Sequence, residues 1–280
     1  MAVMQPNPIS LGGEPIERMI EKYKRANGIK EFWRPKFEEC YEYAMPSRET
    51  FYSQSIGTNR TDKIFDETAV TGVQEFASRL QAGIVPNYAR WADFVAGTDI
   101  PEQERAEVNA QLDNITTYIF EILQNSNFSQ EIHESFLDLA VGTGALLIEE
   151  GDAIEPIRFT AVPLPHLTLD AGPNGKVDCV YRDRNIRSSN ILIAYPEANL
   201  PLEIKRSLTE GKDMFCHLIE GVHRDYSNIN EEAYIYTVFS QKYKHILLQK
   251  RFEGQGSNPY VVFRWGKSSG EIWGRGPLLN

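Results

Sequence analysis

Nothing in this sequence is long and apolar enough to span a bilayer as a helix, since its most apolar segment, Ala145-Leu-Leu-Ile148, falls far short of the ~20 residues required. Met1 to Gly13 also lacks a basic stretch followed by an apolar one, so neither an export signal nor a membrane role is expected. Cysteine is scarce: Cys40, Cys179 and Cys216 are an odd number, far apart and outside any C-x-x-C spacing. That argues against a disulfide framework or a zinc ribbon and suits a reducing compartment. Positive charge is in deficit, with 29 Lys and Arg against 39 Asp and Glu and a net charge of −10. Such a surface repels phosphate at long range, which disfavours the ordinary nucleic-acid binders. There is no Gly-x-Ser-x-Gly elbow and no H-E-x-x-H pair, and the five histidines are scattered. No internal repeat or low-complexity tract is present, and Pro6, Pro8, Gly12 and Gly13 mark a flexible lead-in over residues 1–14.

What is present is ample material for a core. Over 280 residues, 41% are hydrophobic, with 13 Tyr, 14 Phe and 4 Trp, a profile of one large or two small ordered domains.

The first half has a helical period. Pro15 opens a segment carrying Ile16, Met19, Ile20 and Tyr23, Gly28 interrupts it, and a second segment bears Trp33, Phe37, Cys40, Tyr41 and Ala44 before Pro46 closes it. After a polar loop from Ser47 to Thr61, Asp62 stands as N-cap of the clearest helix in the chain, running to Ala82. Its apolar residues Phe65, Ala69, Val73, Phe76, Leu80 and Ile84 form one stripe. A stripe of that length predicts a core helix, in which Phe76→Ala would cost ~3–5 kcal/mol. Gly83 and Pro86 end it. A third helix from Pro101 to about Gln124 aligns Leu112, Ile115, Ile119, Ile122 and Leu123, and a fourth from Ser129 to Val141 aligns Ile132, Phe136, Leu139 and Ala140 before stopping at Gly142 and Gly144.

From there the period alternates. Strands are predicted over Ala145–Glu150, Ile157–Val162, Leu167–Asp170, Val177–Arg187, Phe215–Tyr226, Ala233–Phe239, Ile246–Phe252 and Tyr260–Trp265, with Asn174-Gly175 as a hairpin turn and short helices near Asn190–Ala194 and Pro201–Leu208. Helices first and strands second predict an α+β fold with a mostly antiparallel sheet. The expected division is a helical part over 15–144, a β-rich part over 145–270 and a distinct terminal stretch over 271–280.

Several segments invite a chemical reading. Val141-Gly-Thr-Gly-Ala145 resembles a phosphate loop, but the order helix, glycines, strand reverses the dinucleotide fingerprint and reads as a helix cap and turn. Gly266 to Gly276 is glycine-rich without a Gly-Lys-Ser/Thr ending. Glu149, Glu150, Asp152 and Glu155 lack the EF-hand spacing and read as a solvated turn. Cys216, His217 and His223 are close in sequence, yet neighbours on a strand face opposite ways, so zinc is disfavoured and no metal or cofactor is expected. Trp33, Tyr41, Tyr43, Trp91 and Trp273 read as packing rings rather than a base-stacking platform. Lys22, Lys24, Arg25, Lys30, Arg34 and Lys36 are offset by Glu17, Glu21, Glu31, Glu38 and Glu39, the pattern of a solvated helix face. No catalysis is expected, and only weak affinity for DNA.

Taken together, several stretches resemble the portal, or head-to-tail connector, family of short-tailed bacteriophages. They are Trp33 through Tyr43-Ala-Met-Pro46; Phe65-Asp66-Glu-Thr-Ala69 leading to Phe76-Ala-Ser-Arg-Leu80; Val85-Pro86 with Trp91 following; Ser126-Asn-Phe128; Leu139 through Gly142 and Gly144 into Glu149; and Gly270-Glu271-Ile-Trp273-Gly274-Arg275-Gly276-Pro277. The last is the most distinctive. The resemblance covers about residues 15 to 280 and implies a dodecameric ring at one capsid vertex, with these motif residues as scaffold. Its implied partners are further copies of the chain, the terminase motor, tail adaptors, and capsid and scaffolding proteins, with double-stranded DNA passing through unread. The implied location is the portal vertex of the virion, and the host cytoplasm during assembly. Family members continue well beyond the position of Asn280, so the resemblance implies that these residues are a wing region leading at Pro277 into a channel-lining stem helix. Two other classes stand beside this reading: a sequence-independent DNA-binding module with a basic face assembled by folding, and an enzyme whose site joins distant residues.

Overall fold

The computed structural model describes residues 15–48, 51, 64–172, 175–227 and 231–279. Four long helices come first: α1 (Ile16–Ala44), α2 (Thr68–Ile84), α3 (Glu102–Asn125) and α4 (Phe128–Val141). Strands β1 (Thr143–Glu150), β2 (Ile157–Ala161), β3 (Leu167–Ala171) and β4 (Val177–Arg187) follow, then short helices α5 (Ile191–Ala194) and α6 (Leu202–Thr209). Strands β5 (Phe215–Arg224), β6 (Ala233–Ser240), β7 (His245–Glu253) and β8 (Tyr260–Arg264) complete the order. The fold is α+β with two antiparallel sheets, β2-β1-β8 and β3-β4-β5-β6-β7.

The larger sheet is covered on both faces. Along β5, Cys216, Leu218 and Val222 join a main core that also takes Phe37, Tyr41, Phe136, Leu147, Tyr260 and Trp273. The alternate residue Ile219 meets Tyr181, Phe239 and the first half of α1 through Met19, Ile20, Tyr23 and Ala26. A period of two on the strands therefore supplies two cores from one sheet.

Helix α1 corrects the expected break at Gly28: it runs unbroken for 29 residues, through Pro35 as well. A helical glycine costs only about 1 kcal/mol relative to alanine. Burying residues from Met19 to Ala44 against two cores outweighs that.

Helix α2 corrects the core expectation. Only Val73 and Ala77 are buried, Phe76 and Leu80 are half-buried, and Ala69, Ile84 and Phe65 are exposed, Phe65 at 98%. It lies over α4 through Val73 and Ala77 and through Gln81, whose Nε2 donates to the Ser129 carbonyl at 2.8 Å. Periodicity shows that a helix has an apolar side, not how much of it this chain covers. Phe76 stacks edge-on against the exposed Trp265 at 5.1 Å. Phe76→Ala is therefore expected to cost about 1–2 kcal/mol, against ~3–5 for Phe37→Ala in the main core. Urea denaturation of the two variants checks the order, and equal losses would contradict it. The Asp62 cap lies outside the described residues; Asp66 Oδ1 accepts the Thr68 N–H at 2.7 Å at the helix start. On α3 the buried residues are Thr116 and Phe120, while Ile115, expected on the apolar face, is exposed.

The hairpin signal at Asn174-Gly175 falls partly outside the described residues, but Gly175 has φ of +68° and β3 pairs β4 across it. The free edge of β2 is closed by side chains: Asn127 accepts the Phe159 N–H at 3.0 Å and donates to its carbonyl at 2.7 Å, and Glu131 accepts the Ala161 N–H at 2.7 Å.

Candidate functional site

The two glycine motifs, 130 residues apart in the chain, meet. Gly142 caps α4, its N–H donating to the Asp138 carbonyl, with φ of +149°. From there the chain turns into β1, and the segment after β8 returns alongside it. Gly276 N donates to the Val141 carbonyl at 2.9 Å, Leu278 N to Ala140 at 3.1 Å, Trp265 N to Gly142 at 3.0 Å, and Gly274 N to the Thr143 hydroxyl at 2.9 Å. Side-chain-free positions are required here. A Cβ on Gly142 would stand 2.2 Å from the Gly274 carbonyl oxygen, and one on Gly276 would stand 2.2 Å from that of Ala140. Beside the junction Trp273 is fully buried, edge-on to Phe37 at 5.3 Å. Arg275 forks onto Glu271 at 2.6 and 2.8 Å and lies over the Trp33 ring at 5.1 Å. Backbone atoms of Gly274 and Gly276 stand directly against Gly142, where a phosphate loop would leave room for its ligand.

Among the other motif positions, Tyr43, Asp66, Ala69, Trp91 and Pro277 are exposed, Pro46, Leu80, Pro86 and Glu149 half-buried, and Gly144 buried beneath the Phe263 ring. Trp91 is edge-on to Phe120 at 5.3 Å and stacked on Phe128 at 6.2 Å. Some motif residues thus gather at the junction around Gly142 and others on α2 and the α2–α3 connection, while Tyr43 and Pro46 lie at the end of α1 and Glu149 at the end of β1.

Two buried polar networks had no motif to announce them. Glu220 on β5, 1% exposed, accepts from Arg184 at 2.8 Å, Tyr260 at 2.9 Å and the Tyr195 hydroxyl, with Arg182 at 3.6 Å. Burial alone would raise its pKa, but the two guanidiniums and the hydroxyls outweigh burial and hold it below the usual carboxylate range. Neighbouring Glu149 has the opposite balance: burial and the charge of Glu220 raise it. The sequence did carry a signal, a lone Glu in the otherwise apolar run Leu218 to Val222 opposite alternating Arg182 and Arg184.

The second network joins α1 and its C-terminal turn to α4. Asp138, fully buried, accepts from Tyr41 and, at 2.7 Å, from Arg48, which also reaches Glu134. Burial outweighs these partners and pushes Asp138 up to about 6. Between its ordinary 3.8 and about 6 the native state therefore binds the proton and the unfolded chain does not. This carboxyl's contribution to stability is full below that window and lost as pH rises through it. Asp138→Asn should flatten the corresponding slope in urea midpoints measured from about pH 4 to about pH 7. An unchanged slope would assign it to another group.

Lys30 departs from the solvated-face reading of the basic stretch on α1, whereas Lys24, Arg25 and Lys36 are exposed. Lys30 is 4% exposed and donates to the Pro165 carbonyl at 2.6 Å, and burial lowers its pKa to about 8. Arg25 reaches Asp170 at 2.6 Å, Arg34 pairs with Glu38 at 2.7 Å, and Tyr23 donates to Asp183 at 2.6 Å. The Lys30, Arg25 and Tyr23 contacts fasten α1 to the larger sheet and the residues leading into it, while Arg34–Glu38 lies within the helix. Cys216 and His217 do point to opposite sides, Cys216 into the core and His217 outward to Asp183 at 3.3 Å. Asp152 Oδ1 accepts the N–H groups of Ile154 and Glu155 at 2.8 Å, tying the acidic loop into the β1–β2 turn. Among the described residues no helix is long and apolar enough to cross a membrane.

The model of a protein family described as bacteriophage head to tail connecting protein matches residues 17–279. Comparison with curated proteins finds no match.

Proposed function

Because the chain belongs to the bacteriophage head to tail connecting protein family, we propose that it is a subunit of the portal ring, the wing of a connector at one capsid vertex. A head-to-tail connector role places the protein in the virion and implies oligomeric assembly with other phage proteins. In the finer reading the ring is dodecameric. A terminase motor drives double-stranded DNA through it, tail adaptors attach afterwards, and capsid and scaffolding proteins seat it during assembly in the host cytoplasm. Residues 15–270 form the wing and 271–280 the link onward. The motif residues from Trp33 to Pro277 act as scaffold, and the protein is not an enzyme.

The family match over nearly the whole chain carries this reading. The apolar side chains left uncovered on α2, α3 and their connection, among them Ile84, Phe94, Val95 and Ile115, support it. A chain that works alone rarely leaves so large an apolar surface in water, and neighbouring subunits would cover it. The net charge of −10 also suits DNA that must slide rather than be held.

Electron microscopy of purified particles labelled with gold-conjugated antibody to this chain tests the assignment. Label at one vertex, on the tail axis, is expected. Label spread over the capsid or confined to the tail tip would overturn it.

A further inference from the structure

A cleft of about 430 Å³ opens between the end of β1, the segment after α5, and strands β6 and β7. Its walls include Leu147, Leu248, Phe252 and Pro259, and at its rim Lys250 is drawn to Glu197 at 3.5 Å. Two buried or half-buried polar side chains lining it are without a hydrogen-bond partner or ion pair among the described residues. One is Glu149, half-buried at the end of β1. The other is Tyr236 on β6, whose side chain is more than nine-tenths buried. Both line the cleft, so a group entering it meets a carboxylate and a hydroxyl that hold no other partner among the described residues.

We propose that this cleft binds an alkylammonium group, the charged head accepted by the Glu149 carboxylate and the Tyr236 hydroxyl, and the methylene stem lying along Leu248, Phe252 and Pro259. An ammonium offers three donors and no acceptor, which matches one anionic and one hydroxyl acceptor. Among the lining residues carboxylates outnumber amines, Glu149, Glu150 and Glu197 against Lys250, while Arg158, Arg182 and Arg184 act on Glu149 from the neighbouring strands. Burial and Glu220 act against the charge on Glu149 more strongly than Arg182, Arg184 and Arg158 support it, and a bound cation would support it further. The same group could arrive as a free aliphatic amine or as a lysine side chain.

The whole chain is titrated with n-butylamine, with Nα-acetyl-lysine methylamide and with the neutral 1-butanol, following backbone amide shifts at 147–150 and 248–252 by NMR. Saturable millimolar binding of n-butylamine and little of 1-butanol is expected. Binding of the lysine derivative as well assigns a side chain as a competent source; its failure restricts the site to free amines. Glu149→Gln should weaken n-butylamine binding about tenfold or more, and Tyr236→Phe about threefold. Both replacements are near-isosteric at groups that hold no partner, so unchanged melting temperatures are expected and separate loss of the site from loss of the fold. Absence of saturable binding, equal binding of 1-butanol, or affinity unchanged in Glu149→Gln would overturn the proposal.

Discussion

Gly142→Ala should leave little folded protein. The position has φ of +149°, a conformation that strains any residue with a side chain, and the added Cβ would stand 2.2 Å from the Gly274 carbonyl oxygen and 2.9 Å from the Gly276 nitrogen. Both obstacles are backbone atoms held by the Gly276-to-Val141 and Gly274-to-Thr143 hydrogen bonds, so neither can rotate away. Strain and overpacking together cost about 3–6 kcal/mol, much of the ~5–15 that a domain of this size has. Gly28→Ala is the natural control: no atom lies within 4 Å of its added Cβ, and inside α1 alanine should gain roughly 0.5–1 kcal/mol. Soluble yield and thermal melting of the two variants should move in opposite directions. A Gly142→Ala protein melting with the parent would show that the junction yields.

That junction marks how far the sequence could be followed. The helix-to-strand switch at Gly142 was legible because α4 ends there and an alternating pattern begins, both local signals. The eight expected strands lie close to their spans for the same reason: turn residues separate the runs, whether both faces are buried, as on β6, or partly open, as on β7. That the second glycine motif closes on the first was not legible, since nothing local in Gly274 or Gly276 specifies a partner 130 residues away. Lys30 failed in the other direction. Its charge marked it as solvated, yet its long stem runs beneath Phe51 to a carbonyl at Pro165, a contact that exists only once α1 lies on the sheet. The extent of α2 in the core was misread because an apolar stripe is equally well explained by a surface that another chain would cover. Glu220 sat in an apolar run whose meaning depended on Arg182, Arg184, Tyr195 and Tyr260 arriving from three other segments.

Glu220→Ala carries the second large expected effect. It would leave Arg182 and Arg184 beneath the surface without their carboxylate, and Tyr195 and Tyr260 without an acceptor. Breaking a buried ion pair from one side costs about 3–5 kcal/mol, because the stranded charge remains. Arg184 can turn partly to solvent, being 30% exposed, which places the expected loss near the lower end, at about 3 kcal/mol. The pH dependence follows from the lowered pKa of Glu220. Its contribution is present above the ordinary carboxylate value of 4.5 and is lost as pH falls through the depressed native value, where the unfolded chain takes up the proton first. Glu220→Ala should therefore lose stability at neutral pH and resemble the parent in acid. Asp213→Ala, which breaks the exposed pair with Arg187 at 3.3 Å and removes the acceptor of the Ser188 hydroxyl and the Ser189 N–H, should cost about 1–2 kcal/mol. Chemical denaturation across the acid range compares them, and a Glu220 variant that tracks the Asp213 variant would show that the buried network contributes little.

The side chains that close the edge of β2 have a bearing on how the chain survives its own synthesis. Asn127 and Glu131 lie 32 and 30 positions from the backbone groups they satisfy, whereas the bond from Gly274 to Thr143 spans 131. Loop closure favours the shorter spans, so α4 and the β1–β2 hairpin can seal one side of the small sheet while later residues are still being made. The opposite side of β1 has no such local cover and waits for β8. An unpaired strand edge is a template for any other strand, so within the small sheet the nascent chain's exposure to aggregation concentrates on that side of β1 and ends when β8 docks.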